Sequence, residues 1–351
     1  MSKKQELHVI VPGLCGPLAE IPSTRKQPQL QRWVNTLARA VCAPSGKDFY
    51  SVLNTVFSLG ISGEFPSARF TLLGTQDIRP GYYYLHADPV YLRADIDHAV
   101  LTSSNDFELS EDEASAFCEI LNKHFAEDSL RFFYSDHRHW FVESKQAVSL
   151  TTTPLSYAVA RNINLLLPQG EDATRWKQIL NESQMLLFSH PLNAQRESRG
   201  QVPVNSLWFH GSGSLPPATN ADIATVCSND RLLQGIAMHT GADSVALPDI
   251  ASAYMAQLSQ QEAAGQHVLH LSALEHCANY TDISLWLQAL DLLLDEWFYP
   301  LLAQASKNRS DIMLYPCNGR CYRFDGRERY RFWRRGRVEE HLSAFGAVNS
   351  E

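Results

Sequence analysis

The sequence predicts an α/β chain, a layered core of strands and helices that carries a smaller inserted α/β unit. Two observations predict it. Short β-branched runs alternate with stretches of helical spacing through the second half, the pattern of a layered sheet. Between residues 80 and 150 a separate strand–helix–strand packet interrupts that order. The expected division is therefore a core of 1–79 with 151–351 and an insertion at 80–150, and 351 residues are enough for both.

The elements follow in order. Residues 7–11 are a β-branched run closed by Pro12-Gly13, a buried first strand and its turn. Leu30, Val34, Leu37 and Val41 repeat at helical spacing, and after a Gly/Pro-rich stretch at 60–66, residues 87–100 alternate as strands do. Ser110-x-x-Glu113 is a capping box: the hydroxyl accepts from first-turn amides while the carboxylate reaches back. The helix it opens carries Ala114, Phe117, Leu121 and Phe125 on one face, and 131–143 returns to alternation. A helix at 172–189 carries Trp176, Ile179, Leu180 and Leu187, and strands are expected at 206–209, 245–247, 267–272 and 311–315. From Asp282 to about Gln304, Trp286, Leu290, Leu293, Leu294, Trp297 and Leu301 form a further helical stripe. Ligands of such sheets bind beyond the carboxyl ends of the strands, here the loops 12–17, 273–282 and 316–321.

Composition narrows the classes. At 44% hydrophobic and 19% charged the chain is globular rather than disordered. Its longest apolar runs, 163–168 and 290–294, are too short to span a bilayer, and the polar start at 1–6 does not read as a signal peptide. No membrane role is expected. Seven cysteines, an odd number scattered from Cys15 to Cys321, argue against a disulfide framework and for a reducing cytoplasm. Between Arg320 and Arg337 eight arginines face Asp325 and Glu328, a local +6 in a chain of net charge −8 that leaves the remainder at −14. A uniformly basic nucleic-acid binder is excluded; a local basic site near the carboxyl end is not.

Residues 189–213, SHPLNAQRESRGQVPVNSLWFHGSG, contain a His-Pro-x-Asn turn, an Arg, a Gly, a Pro-x-Asn and a Gly-x-Gly. Upstream, 87–100 (ADPVYLRADIDHAV) presents a strand with Val-x-x-Arg; downstream come Leu233-x-Gly235-Ile236-Ala237, Gly241 and Val245. In this order the segments resemble the archaeal-type cofactor-independent phosphoglycerate mutases of the alkaline-phosphatase superfamily, across about 7–320. The chain is more similar still to proteobacterial proteins described as phosphoglycerate-mutase-like or regulatory. The resemblance implies an alkaline-phosphatase-like layered core with an inserted domain. It also implies two divalent metals, such as manganese or zinc, that activate a serine or threonine for transient phosphorylation.

Carried over position by position, that machinery is thin. The first ligand, an Asp before Gly, falls on Pro12, which has no ligand atom. The nucleophile falls on Ser51, with Val52 where an Asp should follow, so Ser51 lacks an evident activator. The Asp and His of the third loop become Glu275 and Asn279; Glu275 can still hold a hard cation, while Asn279 is a weak neutral ligand. His276 and Asp282 stand nearby, Asp282 also reading as a helix N-cap. The last Asp-His pair is replaced within Tyr315-Pro316-Cys317-Asn318. Three stripped loops predict a non-catalytic relative without a cofactor, with a binding or regulatory role. The alternative is a metal-dependent phosphatase or phosphomutase with manganese or zinc on a rearranged site of Glu275, His276 and Asp282, with Ser51 as nucleophile.

Other groups carry two readings each. Cys317-x-x-x-Cys321 with Cys277 and His276 is a zinc site or packed thiols. Asp136-His137-Arg138-His139 is a metal or phosphate cluster or the wet face of a strand, and 210–214 offers amides to an anion or is a plain loop. His190, Arg196 and Arg199 form the best anion-binding candidate, or merely fix the turn they sit in. At the carboxyl end Asp325-Gly326 signals a hairpin whose return strand alternates Arg329, Arg331 and Arg334 with Tyr330, Phe332 and Trp333. That strand is a surface for an anionic small molecule or acidic protein partner, with nucleic acid less favoured, or an ordinary edge whose aromatics pack on the core.

Overall fold

A computed structural model describes residues 6–17, 28–74, 78–94, 99–218, 222–260 and 265–342. In chain order its strands are β1 (Glu6–Ile10), β2 (Val41–Pro44), β3 (Tyr83–Ala94), β4 (Ala99–Ser103), β5 (Leu130–Tyr134), β6 (Trp140–Ser144), β7 (Ser206–His210), β8 (Ile223–Cys227), β9 (Asp243–Val245), β10 (Gln266–His270), β11 (Asp311–Tyr315) and β12 (Arg320–Phe324). The chain divides into two compact units, Met1–Gly60 with Ala218–Glu351, and Ile61–Pro217. The inserted unit is thus wider than 80–150. It gains residues 61–79 and 151–217 because β7 pairs with β3 and the helix Ala173–Phe188 contributes Trp176, Ile179 and Leu180 to the same core. No helix among the described residues is long and apolar enough to cross a membrane.

The first unit holds a seven-stranded sheet in the order β2-β12-β11-β1-β10-β8-β9. β1 lies between β10 and β11 and runs parallel to both, so the carboxyl ends of three strands stand side by side. The helix Pro28–Arg39 buries Leu30, Trp33, Val34 and Leu37; Val41, read as the end of its stripe, instead opens β2, which pairs antiparallel with β12. Burial of aliphatic side chains such as Leu37 and Leu290 contributes on the order of 1.5–3 kcal/mol each. The long stripe beginning at Asp282 is Ile283–Leu293, a π turn at Leu294–Phe298 and Tyr299–Asn308. The wider turn stands just before Pro300, whose ring cannot follow an ordinary preceding turn. Asp282 caps the start, accepting from the Leu285 N–H at 2.9 Å.

The expected carboxyl-terminal hairpin does not form. Asp325-Gly326 does turn the chain, with φ of 79° at the glycine, but Glu328–Tyr330 is one turn of 3-10 helix and 331–337 is irregular. Both edges of β12 are already taken, by β11 and β2, so no ladder remains for a return strand.

The second unit is an antiparallel sheet, β4-β3-β6-β5, with β7 added on β3. β3 pairs through 83–86 with β6, through 86–90 with β7 and through 90–94 with β4. The capping box holds: Ser110 Oγ accepts from the Glu113 N–H at 3.2 Å and the Glu113 carboxylate from the Ser110 N–H at 3.0 Å. The helix it opens, Glu111–His124, buries Phe117 and Leu121 in one core with Phe132, Trp140 and Val142. Residues 136–139 lie in the turn between β5 and β6, not on a strand face as expected.

Candidate functional site

The three loops expected to carry chemistry do follow the adjacent parallel strands β1, β10 and β11 of the first unit. The Val11 N–H donates to the Tyr315 carbonyl at 2.9 Å and the Leu271 N–H to the Ile10 carbonyl at 3.0 Å, so the loops leave at a common level. Gly13 has φ of 77°, and a Cβ there would lie 2.9 Å from both the Leu274 carbonyl oxygen and the Ala278 Cβ. Trp286 Nε1 donates to the Gly13 carbonyl at 2.8 Å. Leu14, Cys15, Leu274, Ala278 and Cys317 are all buried. Aliphatic carbon and thiols therefore fill most of these loops, with the Asn279 side chain also buried among them. Burial pushes the Cys15 thiol up to about 12, and burial together with Glu275, Asp48 and Cys15 raises Cys317 well above its usual range. Protonated thiols are poor metal ligands at neutral pH.

The candidate residues of these loops do not converge. Ser51 sits in the first turn of the helix Phe49–Val56. Its N–H donates to Asp48 Oδ1 at 2.8 Å, and its hydroxyl donates to the Asp48 carbonyl at 2.9 Å and accepts from the Asp48 N–H at 3.0 Å. The would-be nucleophile is a cap. Glu275 is half-buried, His276 is exposed and packs on Tyr280, and Asp282 is a helix cap. Burial raises the thiols of Cys277 and Cys321, and neither these with Cys317 and His276 nor Glu275 with Asp282 form a converging ligand group among the described residues.

In the second unit the anion-binding trio has a different role. Arg196 is fully buried; it donates to the Glu113 carboxylate at 2.7 Å, the Glu108 carbonyl at 2.6 Å and the Val202 carbonyl at 2.8 Å. His190 caps the helix Pro191–Ser198 by accepting from the Leu192 N–H, and Arg199 is exposed at that helix's other end. Asn193 completes a clasp, joining the Leu187 carbonyl to both the N–H and the carbonyl of Val204. Internal carbonyls and Glu113 neutralise Arg196, so the block fixes its own turn rather than capturing an external anion. The 210–214 loop likewise meets an anion of the protein: the Gly211 N–H donates to the Glu64 carboxylate at 3.2 Å and to Thr152 Oγ1 at 3.0 Å. Gly211, at φ of 72°, leaves no room for a Cβ against Ser67.

The carboxyl-terminal arginines scatter. Arg331 donates to the Arg39 carbonyl at 2.9 Å and lies 3.8 Å from the Asp325 carboxylate, whereas Arg329 stacks over Tyr330 and Arg334 is exposed. Tyr330, Phe332 and Trp333 are 61%, 70% and 66% exposed, so the aromatics do not pack on the core.

A cluster that sequence reasoning missed lies on β3 and β7. His86 and Asp88 share a face of β3 by strand alternation, and the register sets His210 opposite His86. Their exposures are 6%, 5% and 5%. Asp88 Oδ2 bonds His210 Nε2 at 2.9 Å, Asp88 Oδ1 lies 3.9 Å from His86 Nδ1, and the two imidazoles stack with centroids 4.3 Å apart. Burial, then the charge of His210, lowers the His86 pKa to about 3. Burial alone would raise Asp88, but the His210 hydrogen bond and the charges of His86, His210 and His139 outweigh it and hold the carboxyl below its usual range. His139, in the 136–139 turn, is held by Asp136 at 2.9 Å. The available signal was His-x-Asp within an alternating strand.

A family model described as 2,3-bisphosphoglycerate-independent phosphoglycerate mutase matches residues 75–193, a span inside the second unit. A mutase of that name from Methanosarcina mazei is 25% identical over 217 residues, 59% of this chain and 55% of that protein. A second, from Methanothermobacter thermautotrophicus, is 28% identical over 204 residues, 55% of this chain and 50% of that protein. The chain thus spans about half the length of these curated relatives. The solved structure of the PH0037 protein from Pyrococcus horikoshii shares the fold, with a TM-score of 0.50 at 15% identity over 97% of this chain and 92% of that one. The family-model match within the second unit, together with the similarity to curated mutases and the layered α/β core, makes this chain phosphoglycerate-mutase-like, a relative of the 2,3-bisphosphoglycerate-independent mutases.

Proposed function

We propose that this relative binds a ligand or partner in a regulatory role and does not transfer phosphoryl groups through the first-unit loops. One observation carries the reading. Where those loops meet, Leu14, Cys15, Leu274, Ala278 and Cys317 are packed and the Ser51 hydroxyl is committed to Asp48. A two-metal in-line displacement needs carboxylate or imidazole clamps and a free nucleophile, and packed carbon with protonated thiol supplies neither. Incubation with 3-phosphoglycerate or a generic phosphate ester, with manganese or zinc, should give no turnover and no phosphorylated Ser51 by intact mass. Turnover that Ser51→Ala or Glu275→Ala abolishes would restore the enzyme reading. Seven free thiols favour a reducing cytoplasm as the setting.

The exposure of Tyr330, Phe332 and Trp333 beside Arg329 and Arg334 favours a specific version, a regulatory binder that meets an acidic or anionic partner through this segment. Arginine beside exposed aromatic rings is the composition of interface anchors. Replacing Arg329 and Arg334 by Ala should weaken binding to an acidic polypeptide such as polyglutamate, and unchanged binding rejects this version. Arg331→Ala tests stability instead, because its guanidinium is tied to the Arg39 carbonyl.

A further inference from the structure

Among the described residues, His86, Asp88 and His210 offer one ligand atom each within 4.8 Å of one another. His86 Nδ1 is buried without a hydrogen-bond partner. A buried imidazole nitrogen left uncompensated is costly, and its lone pair is what a metal ion takes. The nitrogens that face the carboxylate are His86 Nδ1, 3.9 Å from Asp88 Oδ1, and His210 Nε2, 2.9 Å from Asp88 Oδ2. Two imidazoles and one carboxylate are a donor set for zinc and neighbouring divalent transition ions.

We propose that His86, Asp88 and His210 form a binding site for one divalent transition ion, zinc suiting it best, on the β3–β7 face of the second unit. Tetrahedral zinc holds its donors roughly 3.4 Å apart, so the 3.9 Å separation of His86 and Asp88 must close and the 2.9 Å separation of Asp88 and His210 must open. The stacked rings, 14° from parallel, require one imidazole to turn before both lone pairs meet the ion. Three protein ligands leave a fourth position for water or an anionic group. His139, itself bonded to Asp136, acts electrostatically on His86 and Asp88, and Glu64 lies within electrostatic reach of His210. All three ligands belong to the second unit, so the proposed function stands whether or not this site binds an ion.

The test loads the full chain with zinc, desalts it and counts the ion by elemental mass spectrometry, then repeats the titration with cobalt. One ion per chain is expected, with a cobalt spectrum that lacks a thiolate charge-transfer band. Asp88→Asn and His210→Gln should each weaken zinc binding by at least the ~10–100-fold that loss of an outer-sphere partner costs. Glu275→Gln and Cys317→Ser should retain full affinity. No retained ion in the parent chain, full affinity in both Asp88→Asn and His210→Gln, or a thiolate band would each overturn the site. Loss of the ion in Glu275→Gln would instead locate metal in the first unit and reopen the enzyme reading. The cobalt spectrum of the unaltered chain keeps the proposal testable even if the variants fold poorly.

Discussion

Beyond β1, β10 and β11 the first unit buries aliphatic side chains and raised-pKa thiols, with its turn glycine pressed against Leu274 and Ala278. On β3 and β7 the second unit buries two imidazoles and a carboxylate, and leaves His86 Nδ1 and His210 Nδ1 without partners. The edge of a parallel sheet is the customary place for a ligand, yet among the described residues the converging group of possible metal donors sits on the face of an antiparallel one. The contrast separates position from capacity. Topology says where a site is easiest to build, whereas donors that converge on one point say where one can act.

The comparison can be strained from both sides. The largest effect is expected at Arg196, whose truncation removes a buried charge and strands the Glu113 carboxylate and two carbonyls. Arg196→Ala should cost about 3–5 kcal/mol in urea unfolding, while Arg199→Ala stays within about 0.5 kcal/mol. A loss below about 1 kcal/mol at Arg196 would return the anion-binding reading to this clasp.

Acid comes next. The folded pKa of His86 lies near 3 and its ordinary value is 6.5, so between these limits the unfolded imidazole takes a proton that the buried one refuses. Stability is present above about pH 6.5 and falls as pH drops toward 3, by about 2 kcal/mol between pH 7 and pH 5. Asp88, whose folded pKa is depressed, adds a loss of the same sign at still lower pH. Chemical denaturation at the two pH values measures the slope, and His86→Gln should flatten it; an unchanged slope would detach it from this cluster.

In the first unit the expected effects are smaller. Gly13→Ala forces an L residue into a left-handed turn with Leu274 and Ala278 2.9 Å from the new Cβ, and should cost about 1–3 kcal/mol in thermal or urea unfolding. A neutral result would show the loops to be loosely packed, against the reading of a filled site. Ser51→Ala removes half of a capping box and should cost about 0.5–1 kcal/mol, the smallest effect of the set. A loss of any phosphoryl-transfer activity in that variant would mean the hydroxyl is more than a cap.

Local signals were legible in the sequence where the partners were close along the chain. The Ser110–Glu113 box, the Asp282 cap, the helix Ala173–Phe188 and the strand Asp311–Tyr315 all answer to spacing within one or two turns. Asp325-Gly326 was read correctly as a turn, but whether a strand returns depends on the occupancy of both edges of β12, which β2 and β11 decide from far away. Arg196 looked like an anion ligand because Glu113, which neutralises it, lies 83 residues earlier. His86 and His210 are opposite one another only through the β3–β7 register, so neither residue alone announced the cluster. The width of the insertion was hidden for the same reason, since β7 reads as an ordinary core strand until its partner is known.

The strand β1 is made before its partners β10 and β11, which begin at Gln266 and Asp311. The second unit, Ile61–Pro217, is contiguous and holds its own sheet and core. During synthesis it can close while β1 still waits, because distant pairings bear a larger loop-closure entropy before they gain contacts. Residues 6–10 therefore wait through the synthesis of the second unit with no edge to join, and a chaperone that screens nascent chains has an opportunity there.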